Sequence, residues 1–120
     1  MAFMFEKLEV YQKALNLIDQ ITSLTETFPR GYYFLTGQLN RAALSVATNI
    51  AEGNARFTKA DRKNFFTIAR GSVQECVPLV AVALRKGLIA EGTASDLRAQ
   101  LEVIAKMISG LIAGLDKRKA

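Results

Sequence analysis

Residues 97–115, "LRAQLEVIAKMISGLIAGL", set the terms on which the rest of the chain is read. Leu97, Leu101, Ile104, Ile108, Leu111 and Leu115 recur at alternating steps of four and three, which holds them on one side of an α-helix. Arg98, Glu102 and Lys106 fall off that seam, so the helix is amphipathic and needs other helices to cover its apolar side. Strand-like alternation is absent here and along the whole chain.

Three upstream segments have the matching form. The first helix is expected from about Lys7 to Thr27, with Val10, Ala14, Leu17, Ile21, Leu24 and Phe28 as its seam. A second apolar stripe, Leu8, Tyr11, Leu15 and Ile18, lies beside the first and gives this helix two sides to cover. Pro29 biases Phe28 out of helical geometry and ends it. The second helix spans about Phe34 to Glu52, with Leu35, Leu39, Ala43, Val46 and Ile50 inward. Its many small residues suit close approach, and Gly53 stands where a left-handed cap would end it.

Thr58 opens the third helix, with Asp61 three residues on in the form of a capping box. Phe65, Ile68, Ala69, Ser72, Val73, Cys76, Val80 and Leu84 carry it to Gly87, and Pro78 is expected to kink it without breaking it. Thr93 and Asp96 repeat the opening signal for the fourth helix, which ends in the basic tail "DKRKA". Gly110 and Gly114 form a GxxxG in it, expected to serve close helix packing in water. Four helices with short connections make an all-α, antiparallel up-and-down four-helix bundle, a single domain over residues 1–120.

Composition narrows the function. Hydrophobic residues make up 50% of the 120, high for a small chain that must keep its own surface wet, so self-association is expected. No run of about 18 uninterrupted apolar residues occurs, and Phe3, Met4 and Phe5 run at once into Glu6 and Lys7. The expectation is a cytoplasmic protein with no membrane partner. Cys76, alone and set among Val73, Val77 and Val80, reads as an inert core thiol. Histidine is absent, and no cysteine cluster, HExxH, P-loop or GxSxG is present. No metal, cofactor or catalytic residue is therefore expected, and the chain does not read as an enzyme.

"FEKLEVYQKA", "YFLTGQLNRAALSVATNIAEGNAR" and "IARGSVQE" together resemble the bacterial four-helix-bundle proteins grouped with the ribosomal-RNA intervening-sequence protein. The resemblance runs from about Phe5 to Leu115. It implies a ring-like homopentamer, similar to the accessory protein of diversity-generating retroelements, which binds a reverse transcriptase and nucleic acid. Members are often encoded within inserts of the large-subunit ribosomal RNA gene. This chain departs from the family pattern at Ala47, where proline is usual, at Asn40, where arginine is usual, and at Pro78, where a polar residue is usual. The missing charge at Asn40 weakens a nucleic-acid role carried over from the family.

The basic residues are concentrated. From Arg41 to Arg70 the cations Arg41, Arg56, Lys59, Arg62, Lys63 and Arg70 face only Glu52 and Asp61, a balance of +4 out of the chain's +5. These six are the candidate nucleic-acid contacts, since pooled positive charge attracts a polyanion by counterion release. A solubilising corner is the competing reading. Phe57, inside this segment, reads either as a base-stacking ring or as a hydrophobic staple packed into the bundle.

Gln38, Arg41, Ser45, Thr48, Asn49 and Glu52 form a polar stripe on the second helix, either a solvated face or a subunit contact. Leu8, Tyr11, Leu15, Ile18, Asn49 and Glu52 are the candidate subunit interface. Glu52 has no partner base or nucleophile with which to do acid–base chemistry. Two functions follow: a homo-oligomer that binds RNA or another nucleic acid, or an assembly module that holds a protein partner.

Overall fold

The computed structural model describes residues 3–117. Four α-helices make up nearly all of it: α1 (Glu9–Thr25), α2 (Tyr33–Ala55), α3 (Lys59–Arg85) and α4 (Glu91–Lys117). Short 3-10 turns precede α1 (Met4–Lys7) and α2 (Arg30–Tyr32), and no strand occurs among the described residues. The molecule is a rod of about 49 × 27 × 21 Å.

Cross-helix pairs give the direction of packing. Between α2 and α3, Ser45 meets Ser72 at 2.7 Å and Arg56 meets the Phe65 ring at 4.6 Å, so numbers rise along one helix as they fall along the other. Between α3 and α4, Lys63 reaches Asp116 and Arg70 reaches Ser109, again antiparallel. Gln20 and Gln100 tie α1 to α4 and close the bundle.

The core matches the apolar spacing with small shifts. Val10, Ala14, Leu17 and Ile21 of α1, all five inward residues of α2, and Leu97, Leu101, Ile104, Ile108 and Leu115 of α4 are buried. In the last turn of α1, however, Thr25 is buried and Leu24 only half-buried. The Thr25 hydroxyl lies 2.9 Å from the Asn40 amide oxygen and 3.1 Å from the Thr22 carbonyl, which satisfies it inside the bundle. Asn40 thus joins α1 to α2. In α3 it is Phe66 that is buried, while Phe65 is half-buried and Ile68 is 44% exposed. In α4, Ile112 is buried and its neighbour Leu111 half-buried.

The glycines exchange the roles expected of them. Gly53 is not a left-handed cap: α2 runs past it to Ala55, and among the described residues Gly87 alone has positive φ, at 72°. Gly53 serves close approach instead, since a Cβ built there would lie 2.7 Å from the Phe66 ring and 3.2 Å from the Arg62 carbonyl. Gly87 ends α3 in a Schellman motif, with the Gly87 amide donating to the Leu84 carbonyl and the Leu88 amide to the Ala83 carbonyl. Gly110 and Gly114 are exposed, and a Cβ on either would meet nothing within 4 Å, so their GxxxG packs against no helix of this chain.

Helix starts follow the same pattern of agreement and shift. Thr58 caps α3 as expected, its Oγ1 accepting from the Asp61 amide at 3.1 Å. Thr93 does not cap α4, which starts at Glu91 with its first bond from the Ala94 amide to the Ala90 carbonyl. Pro78 does not interrupt α3, which is continuous from Lys59 to Arg85. By length and composition α3 also passes as long and apolar enough to cross a membrane, but it is the helix packed between α2 and α4. Cys76 sits at zero exposure in the core, where burial, with a smaller push from Glu75, raises its thiol pKa from 9.0 to about 12.

Candidate nucleic-acid interface

The turn between α2 and α3 is three residues long, Arg56 to Thr58, and the side chains around it hold its shape. The last carbonyls of α2 need partners, because no following helical turn donates to them. Arg62 supplies them: Nε donates to the Arg56 carbonyl at 2.8 Å and Nη2 to the Asn54 carbonyl at 3.1 Å. Its charge thereby lies against the negative end of the α2 dipole. Thr58 caps α3 from the other side, so both ends of the turn are tied.

Arg56 is held as well. Its Nη2 lies 3.0 Å from the Glu52 carboxylate one turn back, and its guanidinium lies over the Phe65 ring at 4.6 Å from the centroid. Lys63 pairs with Asp116 at 3.2 Å, which brings the C-terminal end of α4 to this corner. Arg118 and Lys119 of the basic tail lie outside the described residues.

The six candidate cations therefore do not form one patch. Arg56, Lys59, Arg62 and Lys63 gather at one end of the bundle. Arg41 stands fifteen residues before Arg56 on α2, about 22 Å along the axis at the helical rise. Arg70 turns toward α4, with Nη1 at 3.4 Å from the Ser109 hydroxyl. Glu52, Asp61 and Asp116 lie among the four corner cations, so the local excess is smaller than the count along the sequence.

Phe57 is the residue whose place only the structure shows. It is 101% exposed, touching the bundle nowhere, so the staple reading is overturned. A staple needs the ring to fold back onto the following helix, and the tied turn directs it outward.

The expected subunit-contact residues are partly engaged within the chain. Leu8, Tyr11, Leu15 and Ile18 are half-buried against the core, and Tyr11 meets Phe5 edge to face at 5.0 Å. Asn49 donates to the Ser45 carbonyl at 2.9 Å and lies 3.0 Å from the Ser45 hydroxyl, beside the Ser45–Ser72 bridge. Glu52 is exposed and bound to Arg56. Three large apolar side chains on α2 are more than half exposed instead: Tyr33 at 70%, Phe34 at 62% and Leu44 at 55%. The spacing in α1 gave no sign of them. Among the described residues, no group of three or more acidic or thiol side chains is arranged to hold a metal ion.

The fold is similar to that of a protein of unknown function from the S23 ribosomal protein family of Bacteroides thetaiotaomicron, with a TM-score of 0.81. That likeness covers 86% of this chain and 97% of the other at 21% identity, so it speaks for the fold alone. No curated protein matches the chain. The model of the family described as 23S rRNA-intervening sequence protein matches residues 6–110, from the turn before α1 well into α4. The chain belongs to the 23S rRNA-intervening sequence protein family.

Proposed function

We propose that this protein is a non-enzymatic, self-associating helical bundle of the cytoplasm, a homopentamer as the family resemblance implies, that binds RNA or another nucleic acid. The observation that carries the nucleic-acid reading is the gathering of Arg56, Lys59, Arg62 and Lys63 around one short turn of a chain with net charge +5. A single corner holds only a modest excess of positive charge, because acids are set among the cations. Repetition around an assembly multiplies it, and several phosphates are then neutralised together. Self-association is supported by Tyr33, Phe34 and Leu44, large apolar side chains that one copy leaves more than half exposed.

The test is a triple charge reversal, Arg56→Glu, Lys59→Glu and Lys63→Glu, that leaves Arg62 in place because Arg62 caps α2. Binding of a fluorescein-labelled single-stranded RNA, followed by anisotropy across a salt series, is expected to weaken steeply with salt for the natural chain. In the reversed chain it is expected to be lost, with circular dichroism unchanged. Equal affinity in both chains would remove the nucleic-acid reading.

A second reading, an adaptor for a protein partner, draws on the same open side chains Tyr33 and Phe34, which lie at the opposite end of α2 from the basic turn. Light scattering with and without nuclease separates the two, because it reports assembly state and bound nucleic acid together. A particle that keeps its mass after nuclease treatment and co-purifies with a stoichiometric protein favours the adaptor.

A further inference from the structure

We infer that Phe57 is a base-stacking residue and that the nucleic acid bound at this corner is single-stranded. The inference rests on the nucleic-acid reading above and adds to it the class of strand. Three observations meet at this residue. The ring is 101% exposed, more open than any other large apolar side chain described. The turn that carries it is tied on both sides, by Arg62 to the Asn54 and Arg56 carbonyls and by Thr58 to the Asp61 amide, so the ring is presented from a defined backbone. Cations flank it on both sides in sequence, Arg56 immediately before and Lys59 two residues after.

Each observation bears on the ligand. A three-residue turn between helices has no need of an aromatic ring, and small or polar residues fill such positions without exposing apolar surface. A ring standing in water among cations suits a partner that has both a flat π-face and a negative charge, and an unpaired nucleotide has both. Paired bases offer their faces to one another, so an edge-mounted ring on a convex corner reaches them only where the strand is open. The Arg56 guanidinium, already over the Phe65 ring at 4.6 Å, is held in place one residue before Phe57, where it can meet the phosphate of a stacked nucleotide.

The experiment compares Phe57→Ala, Phe57→Leu and Phe57→Trp in the full chain, using a labelled oligouridylate, a labelled oligoadenylate and an RNA duplex of equal length. Phe57→Ala and Phe57→Leu are expected to bind the single strands about tenfold more weakly, the loss typical of one base–aromatic stack, with the salt slope and the duplex affinity unchanged. Phe57→Trp is expected to keep its affinity, and its fluorescence is expected to be quenched by the single strands. Full affinity in Phe57→Ala or Phe57→Leu overturns the inference. So does an equal loss on duplex and single strand, or dissociation of the assembly in Phe57→Ala seen by light scattering. Failure of the underlying reading looks different: the natural chain then binds none of the three RNAs, whereas failure of stacking alone leaves binding that the charge reversal abolishes and Phe57→Ala does not.

Discussion

The two long seams of this bundle are built on different principles. Along α2 and α3, a backbone with no side chain at Gly53 lies against the Phe66 ring, and both helices bury small residues, Ala42, Ala43 and Ala47 on α2 and Ala69 on α3. Along α1 and α4 the helices meet through longer side chains, with Gln20 and Gln100 exchanging amide hydrogen bonds at 3.0 and 2.9 Å across a cleft of about 320 Å³. Asp96 accepts from the same Gln100 amide at 2.8 Å, so this seam is fastened by polar groups in contact with water. Contact that depends on ring against backbone tolerates no added atom; contact that depends on solvated amides yields to substitution and to water. The basic turn stands at the end of the tight seam, where the backbone beneath Phe57 is best held.

The largest consequence of this contrast falls on Phe66. Phe66→Ala is expected to destabilise the fold by about 3–5 kcal/mol in urea unfolding, the range for truncating a buried phenylalanine. Gly53→Ala should cost about 1–3 kcal/mol by overpacking, even though alanine favours helix over glycine. In the double variant the ring is gone and only the Arg62 carbonyl stays close to the added methyl, so the Gly53→Ala penalty should shrink. Additive penalties would mean that the ring and the glycine do not share one contact.

The second consequence concerns pH and the core beside the tight seam. Cys76 has its pKa raised from 9.0 to about 12, so its neutral form is favoured in the folded chain. Below about pH 9 the thiol is neutral in both states and burial contributes fully. Above it the unfolded chain sheds the proton first, and stability should fall as pH rises toward 12. Urea midpoints measured across this range should slope downward, and Cys76→Ala should flatten the slope. An unchanged slope in the variant would place its origin in other groups.

The smallest effect is expected at the open seam. Gln100→Ala removes an amide pair that water readily replaces, and the cost should be about 0.5–1 kcal/mol. A loss as large as that of Phe66→Ala would erase the distinction between the two seams. Gln20→Ala should cost no more than Gln100→Ala, since both remove the Gln20–Gln100 pair and Gln100→Ala also removes the bond to Asp96.

Much of this was legible in the residues. Leu35, Leu39, Ala43, Val46 and Ile50 announce their burial by spacing, because a helix converts sequence interval into direction about its own axis. Thr58 announces its cap, because the bond is made within four residues. The exceptions lie where direction is not enough. Phe65 and Phe66 are neighbours, and which of them enters the core depends on where α2 stands. Gly53 has the composition of a cap, and only the passage of α3 beside it gives it another use. The six cations fall within one thirty-residue segment of the sequence, yet Arg62 is bound to carbonyls, Arg70 turns to α4 and Arg41 stands far along α2.

From residue order alone came the helices, their number, their inward faces and the family pattern, all of which depend on local bonds and on the period of one helix. The distances between helices, and with them the buried Thr25, the crowded Gly53, the divided cations and the uncovered Phe57, came from packing. Packing is a relation among surfaces far apart in the chain, and a helix carries no record of the axis that will lie beside it.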